Sequence, residues 1–488
     1  MTRFNVGSLV AFGLLLCGSC ARFEDRPLIP ARSAAAIESR SLAEADLQSF
    51  LATNLHQTVV AWPPKEWNFD QLTLVALYFH PQLDIARARW QVAQAGVQTA
   101  AGRPNPSLIV TPEYSANPPS GASPWAPMVS IDVPIETAGK RGYRIARSAH
   151  LAEAARLQVV REAWQLRNQL QATLLERDAA QRRIPLLESQ VKIGEEVVRS
   201  LDERLAAGAV SANELAAARI AAAKSRADLA VARSQLEEAQ VALAAALGLP
   251  AAAIDGVEWK SNLNALDEIQ PPAELDEWRR EALIQRADIR AALAEYAAAQ
   301  AALQLEIARQ WPDVHLGPGY KWDQGESKWS VGASVELPLL NQNQGPIAEA
   351  EARRTEAAAR FVAVQSEVLA QLEHARAAWR SAAERLRPSE DLLKAQRQQL
   401  ARIESAQAAG AADRLAAGTA RLELAAAELL RHDALVQAAH ARGQLEAALQ
   451  RPLDFLEAAA LFSGNRTLPP VAKSRAAANR NNGFENHP

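Results

Sequence analysis

The segment Ser130-Ile131-Asp132-Val133-Pro134 returns, with its chemistry intact, as Ser334-Val335-Glu336-Leu337-Pro338. In each, apolar side chains alternate with a hydroxyl and a carboxylate, so an extended chain has one apolar and one polar face. The likeness spreads outward from there. Leu83, Gln94, Pro106 and Tyr114 correspond to Ile289, Gln300, Pro312 and Tyr320, and Gly208 to Gly410. Ala246-Leu247-Gly248-Leu249-Pro250 corresponds to Ala448-Leu449-Gln450-Arg451-Pro452. An offset that drifts by only a few residues over half a chain marks two copies of one unit of about 200 residues. The chain therefore divides into a leader (1–19), an N-terminal anchor and extended segment (20–70), a first repeat (71–254), an acidic linker containing proline (255–277), a second repeat (278–456) and a tail without periodicity (457–488), read as disordered.

Each copy has the same internal order. An Ala-rich helix, Leu83–Gly102 or Ile289–Arg309, precedes two short alternating segments. Long helical stretches follow: Arg144–Ile184 and Leu186–Leu205 with a return over Leu215–Leu247, then Ile347–Leu386 and Ser389–Ala408 with a return over Leu415–Leu449. Gly208 and Gly410 form the tips, and Pro185 and Pro388 are predicted to kink or restart the outgoing helices. Leu229, Ala232, Leu236, Ala239, Leu243 and Ala246 follow a 3-4 spacing with small residues on the seam, which suits closely packed coiled coils. About sixty helical residues reach roughly 90 Å. The fold class is mostly α, a long helical coiled-coil structure with a small β part of four strands per chain.

Alternating segments of about 9–11 residues suit tilted transmembrane strands. Trp125, Trp311, Trp322 and Trp329 stand at or near their ends, where an interfacial girdle belongs. On this reading Val129, Ile131, Val133, Val331, Val335 and Leu337 face lipid, while Asp132 and Glu336 face a lumen. The alternative is a soluble hairpin with one face packed on helices.

The 488 residues are 49% hydrophobic but only 5% aromatic, which favours an elongated helical molecule over a bulky core. With 53 basic against 56 acidic residues, the net charge of −3 gives no footprint for nucleic acid. Eight histidines form no H-x-x-x-H or H-E-x-x-H pattern, and neither G-x-S-x-G nor G-x-G-x-x-G occurs. Neither an enzyme, a cofactor nor a metal site is expected. The first residues read as a secretion signal, with Arg3, apolar Val6–Leu16, and small Gly18-Ser19 before Cys20.

Cys17-Gly18-Ser19-Cys20 resembles the bacterial lipoprotein box, which implies acylation at Cys20, a plain cleaved signal being the alternative. Ala21 in place of Asp points, by the same resemblance, to the outer membrane. With the duplicated helix, hairpin and long-helix units and the tip glycines, the chain resembles the TolC-type outer-membrane efflux factors. Pro134-Ile135-Glu136-Thr137-Ala138-Gly139-Lys140-Arg141, the segment from Pro338 to Ala350, and Gly410-Ala411-Ala412-Asp413-Arg414-Leu415 are similar to motifs of the cobalt-zinc-cadmium resistance branch. Ala138, Asn341-Gln342 and Pro346 depart from that branch's usual residues.

This resemblance implies a homotrimer whose strands complete a twelve-stranded barrel in outer-membrane lipid. It implies a passive duct working with a periplasmic adaptor and an RND-type inner-membrane transporter. Family members close the periplasmic end through the second-copy helices, often with carboxylates where this chain has Ala416 and Thr419. The gate candidates here are Asp413, Arg414 and Leu415, with Arg414 expected to pair with an acid such as Glu404, and Asp413 otherwise only a helix cap. The other functional class considered is a lipid-anchored periplasmic coiled-coil adaptor or scaffold, which would carry a lipoyl-like or small β-barrel module between its arms.

Overall fold

The computed structural model describes residues 23–55, 61–260 and 275–453. Cys20 and the tail from 457 lie outside the described residues. Helices α1 (Pro30–Glu38) and α2 (Ala45–Leu55), strand β1 (Glu66–Trp67) and helix α3 (Phe69–Phe79) come first. Then follow α4 (Pro81–Ala101), β2 (Ser107–Thr111), β3 (Met128–Ile135), α5 (Lys140–Ala206) and α6 (Ala212–Leu247). After β4 (Glu258–Trp259) the order repeats as α7 (Leu275–Gln285), α8 (Ala287–Ala308), β5 (Val314–Asp323), β6 (Glu326–Val335), α9 (Gln344–Ala408) and α10 (Arg414–Leu449).

Local chemistry places the ends. Asn68 and Gln71 form a reciprocal capping box at the start of α3, and Pro81 opens α4, where its missing N–H costs nothing. Ser211 caps α6 and Asp413 caps α10, each accepting a backbone N–H from the first turn. The expected restarts at Pro185 and Pro388 do not occur: both prolines lie inside continuous helices of 67 and 65 residues. A proline removes a single backbone bond, whereas α5 packs on α6, and α9 on α10, along much of their lengths.

The first core wedges α3 between α5 and α6, burying Leu72, Val75, Leu170, Leu243 and Leu247 with Leu47 and Leu51 of α2. A second core joins α7, α8, α9 and α10 through Trp278, Ile289, Leu372, Trp379 and Leu445. Gly248 ends α6 at φ +72°, and a Cβ there would approach the Phe79 carbonyl carbon and oxygen to 3.0 Å. The Arg40 guanidinium donates to the carbonyls of Phe79 at 3.1 Å and Gly248 at 2.8 Å, fastening the N-terminal segment to this junction. That segment, read as extended over 20–70, thus includes helices. Within the expected linker, Glu258 and Trp259 pair in parallel with Glu66 and Trp67. Alternating apolar residues are sparse in both pieces, so neither had a sequence signal.

The second sheet is antiparallel throughout, in the order β2-β3-β5-β6. Gln324 (φ +51°) and Gly325 (φ +94°) make the two-residue turn between β5 and β6, the geometry that suits a right-twisted hairpin. β6 therefore starts at Glu326 and stops at Val335, leaving Glu336 and Leu337 just beyond it.

Candidate functional site

The strand register sorts the sheet's side chains by chemistry. Ser130 lies opposite Gly319, which lies opposite Ser330; His315 lies opposite Ser334, with Asp132 and Gly317 on the same face. Glu336, past the strand end, lines the same groove as Asp132 and His315. The other face carries Val110 against Val129, Val133 against Leu316, and Leu316 against Ala333. Among the described residues nothing covers that apolar face: Leu108 is 69% exposed, Trp329 81% and Val331 84%. A contiguous apolar patch of this kind marks an interaction surface. Among the described residues, no helix is long and apolar enough to cross a membrane.

At one end of the sheet, Tyr114 packs edge-on against Trp125 and Tyr320 lies tilted against Trp329, with ring centroids 4.9 and 5.0 Å apart. Lys321–Glu113 and Lys328–Asp323 ion pairs surround them. The opposite end is a rigid joint to the helices. Thr137 donates its N–H to Asp313 Oδ1 at 2.9 Å and its hydroxyl to the Pro312 carbonyl at 2.6 Å, and Lys140 Nζ reaches the same Asp313 oxygen at 2.7 Å. Burial of Asp313 favours its neutral form, but the Lys140 ammonium and the Thr137 N–H outweigh this and hold the carboxyl below its ordinary range. Arg141 and Arg144 donate to the carbonyls of Ala101 and Ala100, satisfying the C-terminal end of α4. Ala138 and Gly139 both take positive φ here, so the departure at Ala138 sits in a left-handed position that usually falls to glycine. The segment from Pro134 to Arg141 is thus the strand-to-helix joint.

Far from the sheet, Gly208 (φ +72°) and Gly410 (φ +75°) turn the two helical hairpins. Asp413 Oδ1 accepts the Ala416 N–H at 2.7 Å, as expected of a cap, and its Oδ2 accepts from Arg204 Nη2 at 2.7 Å. This second bond ties the first hairpin's tip to the second's, and with the Ala416 N–H it holds the Asp413 carboxyl below its ordinary range. Within the protomer Arg414 does not pair with Glu404, which is taken by Arg421 at 2.8 Å. Arg414 and Arg421, seven residues apart, share one face of α10 and line the same groove beside Glu196 and Glu203 of α5, and it is Arg421, two turns further from the tip, that reaches Glu404. Leu415 packs against the small apolar cluster of Val197, Leu201 and Leu215. A Cβ on Gly418 would come within 2.8 Å of Val197 Cγ2, so glycine permits the close approach of α5 and α10 near the tip.

Sequence reasoning placed Asp132, Glu336, Gly208, Gly410 and Asp413 in these two regions but missed His315, Arg204 and Gly418. His315 stands alone in its strand, and its role depends on a carboxylate in the other repeat. Arg204 is one of many helix arginines, and only the tip-to-tip geometry singles it out.

A sequence profile of the outer membrane efflux protein family matches residues 75–249 and 278–451, most of the chain and both repeats. The chain belongs to the outer membrane efflux protein family. Within that family it is 27% identical over 265 residues to the cobalt-zinc-cadmium resistance protein CzcC of Cupriavidus metallidurans, a match spanning 54% of this chain and 61% of that protein. The fold is that of solved outer-membrane proteins of the same architecture. VceC of Vibrio cholerae superposes with a TM-score of 0.63 at 19% identity, covering 79% of this chain and 97% of VceC. The open-state channel MtrE of Neisseria gonorrhoeae gives 0.61 at 18% identity, covering 79% and 89%. An efflux-family fold, mostly helical with a small sheet, is what the duplicated pattern led us to expect, and it displaces the adaptor alternative.

Proposed function

We propose that three copies of the chain form an outer-membrane exit duct for divalent heavy-metal cations. The two repeats, 71–254 and 278–456, each supply one hairpin to a twelve-stranded barrel and one helical hairpin to a tube extending into the periplasm. One observation carries this reading: among the described residues the sheet's apolar face is uncovered, and its outer strands β2 and β6 each pair with a single strand. Such edges are tolerated in hydrocarbon only when they close on other copies, because unpaired N–H and C=O groups find no water there. The apolar face then meets lipid, and Asp132 and Glu336 line the lumen. A periplasmic adaptor and an RND-type inner-membrane transporter supply the cargo and the energy, and an acylated Cys20 adds a lipid tether. The likeness to CzcC is what favours metal cations.

The purified protein is expected to migrate as a heat-resistant trimer and to open ion-conducting channels in planar bilayers, and its deletion to sensitise cells to cobalt, zinc or cadmium. A monomer released by carbonate washing, without conductance, would sink the channel reading. Unchanged metal tolerance alone would remove only the cargo assignment. Mass spectrometry of the mature N-terminus tests the tether: acylated Cys20 is expected, and an unmodified later residue overturns it.

The tip contacts act as the gate in this reading, with Arg204, Asp413 and Leu415 holding the end shut and Arg414 beside them. Arg204→Ala and Asp413→Asn are each expected to raise single-channel conductance by removing the bond between the two hairpins. The wild-type pair has a defined pH response. Asp413 is depressed in the folded state, so its contribution is present above the unfolded carboxyl value and is lost as pH falls through the lower folded value. Acid should therefore loosen the parent tip but leave Asp413→Asn unchanged. Gly418→Leu tests the same end sterically: it pushes α10 away from Val197 and should raise conductance without lowering trimer yield. If all three variants conduct like the parent, the gate lies elsewhere.

A further inference from the structure

We propose that His315 and Glu336 form a transit site for borderline-soft divalent cations such as Zn2+ on the lumenal wall of the barrel, with Asp132 as its positioning residue. The inference rests on the lumen-facing assignment of the sheet's polar face made above. His315 Nδ1 lies 3.0 and 3.1 Å from the two oxygens of Asp132. A carboxylate only accepts hydrogen bonds, so in the neutral ring the proton sits on Nδ1 and the lone pair on Nε2. Asp132 thereby fixes both the tautomer and the ring orientation. This is the arrangement by which a carboxylate prepares a histidine to bind a metal through its other nitrogen.

The surroundings leave that nitrogen accessible. The His315 side chain is 41% exposed, and its structural hydrogen bonds among the described residues go to Asp132 alone. Its neighbours on the same face are small: Ser334 directly opposite, and the Gly317–Gly332 pair one step along. Glu336 lies two residues past Ser334, just beyond the end of β6, and lines the same groove. It stands two residues along from the position opposite His315, a diagonal spacing that long side chains span. Imidazole nitrogen with one carboxylate oxygen favours zinc-like ions over magnesium, which prefers an all-oxygen shell.

Among the described residues, no group of three or more histidine, cysteine or acidic side chains is placed to enclose a metal ion. Two protein ligands with water completing the shell bind weakly and exchange fast. A conduit requires this, because an ion that binds too tightly cannot leave. Three such sites on the wall of one barrel would raise the local cation concentration along the exit path without obstructing it.

Residue-resolved carbethoxylation of the intact detergent-solubilised trimer tests the proposal, with the exposed helix histidines His150 and His374 as internal standards. Diethyl pyrocarbonate should modify His315 in the parent, and Zn2+ should slow that reaction selectively while Mg2+ does not. Asp132→Asn should shift the Zn2+ concentration needed for half-protection upward by roughly tenfold, the low end of the effect of removing a histidine's outer carboxylate. Glu336→Gln should raise it as well, by removing an anionic ligand. Protection of His315 equal to that of His150 and His374, or unaffected by either substitution, overturns the site. Absence of any modification at His315 would instead show that the polar face does not meet water, and both this inference and the lumen assignment beneath it would fall.

Discussion

Glu446→Ala should destabilise the folded channel by about 3–5 kcal/mol, the usual result of leaving one member of a buried ion pair uncompensated. Glu446 is 3% exposed and Arg167 4%. Arg167 Nη1 donates to Glu446 Oε2 at 3.1 Å, Gln171 Nε2 reaches the same oxygen at 3.3 Å, and Arg442 Nε and the Leu453 N–H share the other oxygen at 3.4 Å. The Arg167 guanidinium also lies over the rings of Phe69, 4.8 Å from its centroid, and Trp164, at 5.3 Å. Without Glu446 that charge stays in place with no counterion, because α3 and α5 close off its route to water. The guanidinium-induced unfolding midpoint should fall sharply. The double variant Arg167→Met/Glu446→Leu should recover most of the loss, since apolar replacement of both partners is often neutral. A double variant as unstable as the single would show that packing at this position, not the unpaired charge, sets the cost.

Val133→Arg is the second large effect. Val133 lies mid-strand on the apolar face, opposite Leu316. In the proposed trimeric barrel a cation there, at bilayer depth, should cost about 2–4 kcal/mol, and three copies would multiply the penalty. Heat-resistant trimer in the outer-membrane fraction should be nearly abolished. Ser130→Arg, on the polar face of the same strand, should still assemble, as should Asp132→Asn. Equal tolerance of arginine at 130 and 133 would support a water-soluble sheet instead.

How much of this was legible in the sequence depends on the range of each interaction. The period-two pattern around Ile131 and Val335, the 3-4 seam along α6 and the tip glycines are local, and they yielded strands, helices and turns close to where the structure has them. The duplicated order added the architecture, because one unit read twice resolves ambiguities that a single copy leaves open. Partnerships between the repeats were not legible. Asp132 with His315, Arg204 with Asp413 and Arg167 with Glu446 each join residues far apart in the chain, and nothing in the neighbourhood of either partner marks it out. The prolines misled for a related reason: Pro185 reads locally as a break, yet the neighbouring helix holds α5 continuous. The small pairing of Glu66–Trp67 with Glu258–Trp259 is too short to leave any pattern.

The unbroken course of α5 through Pro185 has a mechanical consequence. From Leu170, fixed in the first core, to Ala206 at the helix end is roughly 54 Å at 1.5 Å per residue. A helix acting as a lever of that length moves its far end by about 5 Å for a tilt of only about 5°, which lies inside the ordinary scatter of helix packing angles. A wide excursion at the remote end and a still, well-packed hub are then two aspects of one rigid rod.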